Sequence, residues 1–122
     1  LNIEFSWDAS TQASIPSNRS EYSYNENGNQ TLFIFYSWDA STQALVPSEK
    51  QESYYDENAN QTLLLYYNWD TSIQNFVPTL KDEYYYDENG NQISLIAYFW
   101  DTSTQTFIPS SKTESTWDGN GN

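Results

Sequence analysis

Between Leu63 and Trp69 the chain runs Leu-Leu-Leu-Tyr-Tyr-Asn-Trp, and its odd positions, Leu63, Leu65, Tyr67 and Trp69, are all apolar. Alternation of this kind, in a run too short for a stable helix, predicts a β-strand with one apolar face. The same face recurs in Leu1, Ile3, Phe5 and Trp7, in Leu32, Ile34, Tyr36 and Trp38, and in Ile96, Tyr98 and Trp100. The intervening positions are apolar in part as well, through Phe33 and Phe35, Leu64 and Tyr66, and Leu95 and Phe99. A sheet solvated on one side needs no second stripe, so the pattern predicts that both faces are covered.

The strands recur because the sequence repeats every 31 residues. Trp7-Asp8, Trp38-Asp39, Trp69-Asp70 and Trp100-Asp101 fall into one column, and Pro16, Pro47, Pro78 and Pro109 into another, without an insertion. A fixed period of this length marks a tandem array. A third column holds the turn Tyr86-Asp87-Glu88-Asn89-Gly90-Asn91, its copies from Tyr24 and Tyr55, and a degenerate copy from Trp117 to Asn122. The pattern is open at both ends, as expected of a stretch cut from a longer array.

Each unit carries two strand-like runs. The second, from Phe76 to Tyr86, contains the column proline, which cannot donate to a ladder, so pairing is expected to begin after Pro78. Asn27-Gly28 and Asn89-Gly90 predict two-residue hairpins with type I′ turns. Ala59 takes the glycine's place in the second unit and predicts a looser turn or another type there, because an alanine forced into the left-handed region costs on the order of 1 kcal/mol. The other connection, Asp70-Thr71-Ser72-Ile73-Gln74, opens with an Asp suited to an Asx-turn and predicts a hairpin loop of four to five residues.

The product is an all-β fold, an antiparallel meander of tandem 31-residue units over residues 1–122, with strands near 1–8, 14–25, 30–39, 45–56, 61–70, 76–87, 92–101 and 107–118. It would form an extended single-layer sheet or a β-solenoid, with an eight-stranded up-and-down barrel as the alternative. A turn centred on Asn89-Gly90 sets Tyr86 opposite Ile93, Tyr84 opposite Leu95, Glu83 opposite Ile96 and Lys81 opposite Tyr98. The basic column Arg19, Lys50, Lys81 and Lys112 becomes a structural rung, each stem lying along aromatic surface beside a Glu two residues on.

Composition narrows the function. Seventeen acids against four bases give a net charge of −13, which repels phosphate backbones and anionic headgroups and disfavours nucleic acid as a partner. The absence of Cys and His removes the thiolate and imidazole on which most nucleophilic, acid–base and transition-metal sites are built. No apolar run approaches the roughly 18 to 20 residues that span a bilayer, so membrane insertion is not expected. Few Lys and many Asn, Ser, Thr and Tyr suit an extracellular or cell-surface location.

The turn Tyr86-Asp87-Glu88-Asn89-Gly90-Asn91, with its copies at 24–29 and 55–60, resembles the turn of the YD repeats of the Rhs family, bacterial surface and secreted proteins built of long coiled sheets. Tyr84-Tyr85-Tyr86-Asp87-Glu88-Asn89-Gly90 is similar to cell-wall-binding repeats of the choline- and glucan-binding type. The aromatic, Asn-rich and acidic unit as a whole looks like tandem repeats of secreted or surface proteins from marine Bacteroidetes. These resemblances imply a structural or recognition role outside the cell.

Three chemistries compete with a purely structural role. Asp87, Asn89 and Asn91, and equally Asp56, Asn58 and Asn60, place oxygen ligands at positions 1, 3 and 5 of an EF-hand-like opening, which makes calcium a possible cofactor. The same letters also describe a hairpin turn, and position 12 would be Tyr98 instead of a bidentate Glu. Tyr22, Tyr54, Tyr84 and Tyr85, expected to be exposed, could stack on sugar rings of a polysaccharide. The carboxylate pairs Asp82-Glu83 and Asp56-Glu57 could be imagined at a glycosidic bond. Glu57 and Glu83 recur from unit to unit, whereas an active site is one cleft with one environment, so no enzyme is expected. The reading carried forward is a structural or adhesive module that self-associates through edge strands or sheet faces into a homodimer or filament, with carbohydrate binding as the alternative.

Overall fold

The computed structural model describes residues 1–119; Asn120, Gly121 and Asn122, the end of the degenerate fourth turn, lie outside the described residues. Eight strands follow in chain order: β1 Asn2–Asp8, β2 Ala13–Tyr24, β3 Gln30–Asp39, β4 Ala44–Tyr55, β5 Gln61–Asp70, β6 Asn75–Tyr86, β7 Gln92–Asp101 and β8 Thr106–Glu114. They form one sheet in the order β1-β2-β3-β4-β5-β6-β7-β8. In that order β1 neighbours β2 alone and β8 neighbours β7 alone, so the sheet is open and the barrel alternative is set aside. Among the described residues no side chain is buried, hydrophobic or polar. One layer of strands leaves both faces within reach of water.

The residues group into two compact units, Leu1–Gln51 with Asn68–Val77, and Glu52–Tyr67 with the chain from Pro78 onward. In the first, β1 pairs with β2 from Asn2↔Ser20 to Asp8↔Ala13, with a shift between Glu4 and Phe5. There Asn18 stands opposite Glu4 and Pro16 opposite Phe5, leaving Ser17 without a partner residue. In the second, Tyr98 pairs with Pro109 and Ala97 with Ser111, which bulges Ser110 in the same way. The proline column therefore does not delay pairing as expected. Each of β2, β6 and β8 begins three residues before its proline, and the missing donor is accommodated at a bulge, where a ladder is interrupted in any case. The hydroxyl that follows the proline donates across the gap: Thr79 Oγ1 to the Tyr66 carbonyl and Ser110 Oγ to that of Ala97, both at 3.1 Å.

The Asn-Gly turns differ from the type I′ expectation. Gly28 N donates to the Asn25 carbonyl at 3.0 Å and Asn25 N to that of Asn29 at 2.9 Å. Positive φ falls on Gly28 (80°) and Gly90 (80°) and not on the asparagine before them. This is a three-residue loop, a type I turn closed by a left-handed residue in a bulge. Ala59 keeps the same design with φ 64°, and the bonds Ala59 N to Asp56 O at 3.1 Å and Asp56 N to Asn60 O at 2.9 Å match those around the glycines. The second-unit turn is thus neither looser nor of another type; the alanine bears the strain.

The longer turn changes the register beyond it. Tyr86 pairs with Gln92, and the shift between Tyr85 and Tyr86 leaves Ile93 out of the ladder. The expected Tyr86–Ile93 pair is replaced, while Tyr84↔Leu95, Glu83↔Ile96 and Lys81↔Tyr98 form as anticipated. Tyr86, at the end of β6, donates its hydroxyl to the Gln61 carbonyl at 2.7 Å. In the same column Trp117 Nε1 donates to the Gln92 carbonyl at 2.7 Å, although β8 ends at Glu114, four residues before the expected limit.

The other hairpins close over four residues, as in Asp8↔Ala13 and Asp101↔Thr106. The last loop residue, Gln12, Gln43, Gln74 or Gln105, sits at φ 50–54°. A non-glycine column in the left-handed region was not anticipated from the sequence.

Two turn substitutions test this account. Ala59→Gly removes the left-handed penalty and is expected to stabilise the chain by about 1 kcal/mol in urea unfolding. Asn25→Asp should also raise the urea midpoint, because Asn29 Nδ2, shielded and unpartnered, would gain the carboxylate oxygen that Asn60 and Asn91 already use.

Candidate functional site

Strand pairing sorts the side chains onto two faces, since directly opposed residues share one. The tryptophan face carries Trp7, Phe5 and Pro16 in the first unit. In the second it carries Trp100 opposite Phe107, Tyr98 opposite Lys81 and Pro109, and Ile96 opposite Glu83. Trp100 meets Phe107 edge-on, with ring centres 4.9 Å apart, and Trp69 meets Phe76 likewise at 5.1 Å.

At the centre of this face lies a repeated polar rung. In the second unit Lys81 Nζ sits 3.9 Å from the centre of the Tyr98 ring and donates to Glu83 Oε1 at 2.8 Å. The Tyr98 hydroxyl donates to Glu83 Oε2 at 2.7 Å, and that of Tyr85 to the same oxygen at 3.2 Å. In the first unit Arg19 lies 4.1 Å over Tyr36 and is paired with Glu21, whose Oε2 accepts the Tyr36 hydroxyl at 3.1 Å. Tyr67 donates to Glu52 Oε2 at 3.1 Å in the same pattern. The expected basic rung is present, with a tyrosine hydroxyl that the sequence reading omitted.

The rung perturbs its members' acidities. Hydrogen bonding to Glu83, then burial, pushes the Tyr98 phenol up to about 12. Burial, then the bond to Glu52, does the same to Tyr67. Burial alone would raise Glu83, but the bonds from Lys81, Tyr98 and Tyr85 outweigh it and hold the carboxyl below its ordinary value.

The four candidate sugar-stacking tyrosines do not converge. Tyr22 pairs with Phe33 on the face away from the tryptophans, their ring centres 5.3 Å apart. Tyr84, on that same kind of face opposite Leu95, is half-buried where exposure was expected. Tyr85, two residues from Glu83, and Tyr54, two residues from Glu52, lie on the tryptophan face and are exposed. Alternation also separates Asp82, opposite Ala97, from Glu83, opposite Ile96. That carboxylate pair points to two sides of the sheet and cannot flank one bond. Asp82 sits near Tyr66 and Tyr84, and burial raises its carboxyl.

The calcium candidates divide as well. Asp87 Oδ1 accepts the amides of Asn89 and Asn91 at 2.9 Å, and its Oδ2 accepts Asn91 Nδ2 at 3.0 Å. Asp56 holds Asn58 and Asn60 identically. These turn bonds, led by the backbone amide of Asn91 for Asp87 and the side chain of Asn60 for Asp56, lower both carboxyls. Asn58, Asn60, Glu88, Asn89 and Gly90 line a polar groove of about 380 Å³. Asp8 is engaged in the same manner by Ser10 and Thr11, and its carboxyl falls to about 2. Among the described residues no group of three or more Asp and Glu is arranged to hold a metal ion.

Two grooves in the first unit were not foreseen. One of about 590 Å³ is lined by Asp8, Thr11, Ile15, Trp38 and Gln43, and one of about 420 Å³ by Asp39, Thr42, Val46, Trp69 and Gln74. Their linings are the same columns one repeat apart.

The rung predicts an alkaline transition. A phenol whose folded pKa of about 12 exceeds its ordinary 10.0 contributes stability that is full below about pH 10 and lost as pH rises towards 12. In absorbance titration Tyr67 and Tyr98 should ionise last. Glu83→Gln should bring Tyr98 down towards 10 and leave Tyr67 unchanged.

No protein-family model matches the chain, and no curated protein matches its sequence. Solved structures do share its fold. A protein of unknown function from Bacteroides fragilis is 21% identical, covers 88% of this chain with 76% of its own, and superposes with a TM-score of 0.70. A DUF3836 family protein from Parabacteroides distasonis (21% identity, 78% of this chain, 89% of that one) gives 0.58. Another from Bacteroides vulgatus (17%, 78% and 98%) gives 0.61. At these identities the likeness establishes the fold alone: an open antiparallel β-meander of a kind found in Bacteroides and Parabacteroides proteins.

Proposed function

We propose that the chain is a structural, adhesive module of the cell exterior that associates with its own copies through edge strands or sheet faces. One observation carries this reading. Ile3, Phe5 and Trp7 of β1, with Leu1 just before it, form an apolar strip, each between 40% and 79% exposed, on a strand that pairs with β2 alone among the described residues. An edge that is apolar and unpaired is a template for another chain. The carboxylate within the strip, Glu4, is engaged by Asn18 Nδ2 at 3.2 Å. The net charge of −13 opposes association at low salt and is screened at high salt.

Sedimentation velocity tests this directly. Oligomers should grow with protein concentration and with added salt; a monodisperse monomer at high concentration and about 1 M salt, where the Debye length is ~3 Å, would overturn the reading.

Carbohydrate binding is supported by the two repeat-related grooves and by exposed Tyr54 and Tyr85. Under that reading, titration with soluble polysaccharides gives a saturable, sugar-specific change in tryptophan emission that is lost in a Tyr54→Ala, Tyr85→Ala variant. Silence across the panel would remove it.

A further inference from the structure

Four loops of this sheet keep a glutamine where the backbone would be better served by a glycine. Gln12, Gln43, Gln74 and Gln105 all hold φ between 50° and 54°, a left-handed conformation that penalises any side chain. The fold gives Gln43 and Gln74 no compensating contact: both are exposed, and neither side-chain amide makes a hydrogen bond among the described residues. A strained residue that the fold itself does not use points to a use outside it.

Each of these glutamines lines a groove. Gln43 shares one of about 590 Å³ with Asp8, Thr11 and Trp38, and Gln74 one of about 420 Å³ with Asp39, Thr42 and Trp69. The first opens where one hairpin parts from the next. The ladder between β2 and β3 stops at Asn18↔Ser37, so residues 13–17 of β2 have no partner on β3.

We propose that these grooves are repeated subsites for a neutral, extended polysaccharide lying across the strands, two sugar units to each 31-residue repeat. This inference rests on the carbohydrate-binding reading above and gives it a site and a ligand class. The indole of Trp38 or Trp69 offers a stacking surface for a sugar ring. Asp8 Oδ1 accepts the amide and hydroxyl of Ser10, and its Oδ2 accepts the Thr11 hydroxyl at 2.8 Å; Ser41 holds Asp39 Oδ1 in the same manner. These bonds fix each carboxylate and leave it acceptor capacity for a sugar hydroxyl. The uncommitted glutamine amide adds donors and an acceptor on the same groove.

Spacing selects a polymer. Trp38 on β3 and Trp69 on β5 stand two strands apart in the sheet, which is roughly 9.5 Å at ordinary strand separation. An extended β-1,4-linked chain repeats over nearly that length, one disaccharide at a time. Charge selects among polymers: a carboxylate in each groove and a net charge of −13 repel uronate and sulfated chains.

Calorimetry with the disaccharides and tetrasaccharides of the β-1,4-linked glucose, xylose and mannose series tests this, with tetragalacturonate as the anionic control. In at least one neutral series the tetrasaccharide should bind about tenfold or more tighter than the disaccharide, because it reaches two linked subsites, and tetragalacturonate should give no heat. A Gln43→Gly, Gln74→Gly variant should fold with a urea midpoint no lower than the parent, since the left-handed strain is removed, and yet lose most of the affinity. Unchanged affinity in that variant would overturn the groove assignment; loss of binding in the Tyr54→Ala, Tyr85→Ala variant instead would leave the carbohydrate reading intact at another place. Equal affinity for disaccharide and tetrasaccharide would overturn the repeated subsites, and equal binding of tetragalacturonate the neutral class. No heat from the three series alongside a response to soluble polysaccharides would overturn this proposal alone, and silence from both would remove the carbohydrate reading with it.

Discussion

A sheet one layer thick has no interior, and the rest of this structure follows from that constraint. With no side chain buried among the described residues, stability must be gathered from contacts along the layer, each worth roughly 0.2–1 kcal/mol. The Lys81–Glu83–Tyr98 rung shows how the chain concentrates several of these on one carboxylate: an ion pair, a cation over a ring and two phenol hydrogen bonds. The repeat then supplies the same arrangement again, as Arg19, Glu21 and Tyr36 do in the first unit. Periodicity here acts as an energetic device, because an interaction too weak to hold a fold once becomes sufficient when installed at every unit.

The acidic surplus fits the same economy. Asp8, Asp39, Asp70 and Asp101 each fold onto the serine two residues on, and Asp56 and Asp87 onto the asparagines of their own turns. These carboxylates are turn acceptors, and their lowered pKa values express bonds made within a few residues. Much of the negative charge that suggests metal chemistry in the sequence therefore has a local structural use in building hairpins.

Strand number, order, approximate limits and most of the cross-strand pairing were legible from the sequence, because an exact repeat aligns its own elements and alternation reveals which positions share a face. Lys81 opposite Tyr98 could be counted directly from the turn. What was not legible is where a strand gains a residue. Ser17, Ser110 and Ile93 leave the ladder without disturbing the period, since the pairings toward either end of the sheet bulge at equivalent places and the columns stay aligned. The turn type was misjudged for a related reason. Asn-Gly fits both a two-residue and a three-residue loop, and the decision lies with Asp87 and Asn91 on either side, whose mutual bonds favour the wider one. Gln12 and its copies in the left-handed region carry no compositional flag, since glutamine does not advertise that conformation. Of the tyrosine candidates Tyr22, Tyr54 and Tyr85 are exposed as expected and Tyr84 is not, and the 31-residue period with alternation already sets the column of Tyr22 and Tyr84 on the face opposite that of Tyr54 and Tyr85.

Every strand in the sheet neighbours only the strands before and after it in sequence. Contact order is consequently low, so hairpins can form as soon as their residues are available without waiting for distant segments. It also makes length a free variable. Deleting or duplicating one 31-residue unit would bring an even strand against the same kind of odd strand as before, with the same register and the same rung. Chains of this design can thus be lengthened or shortened by recombination within their own genes, each product inheriting a complete set of pairings.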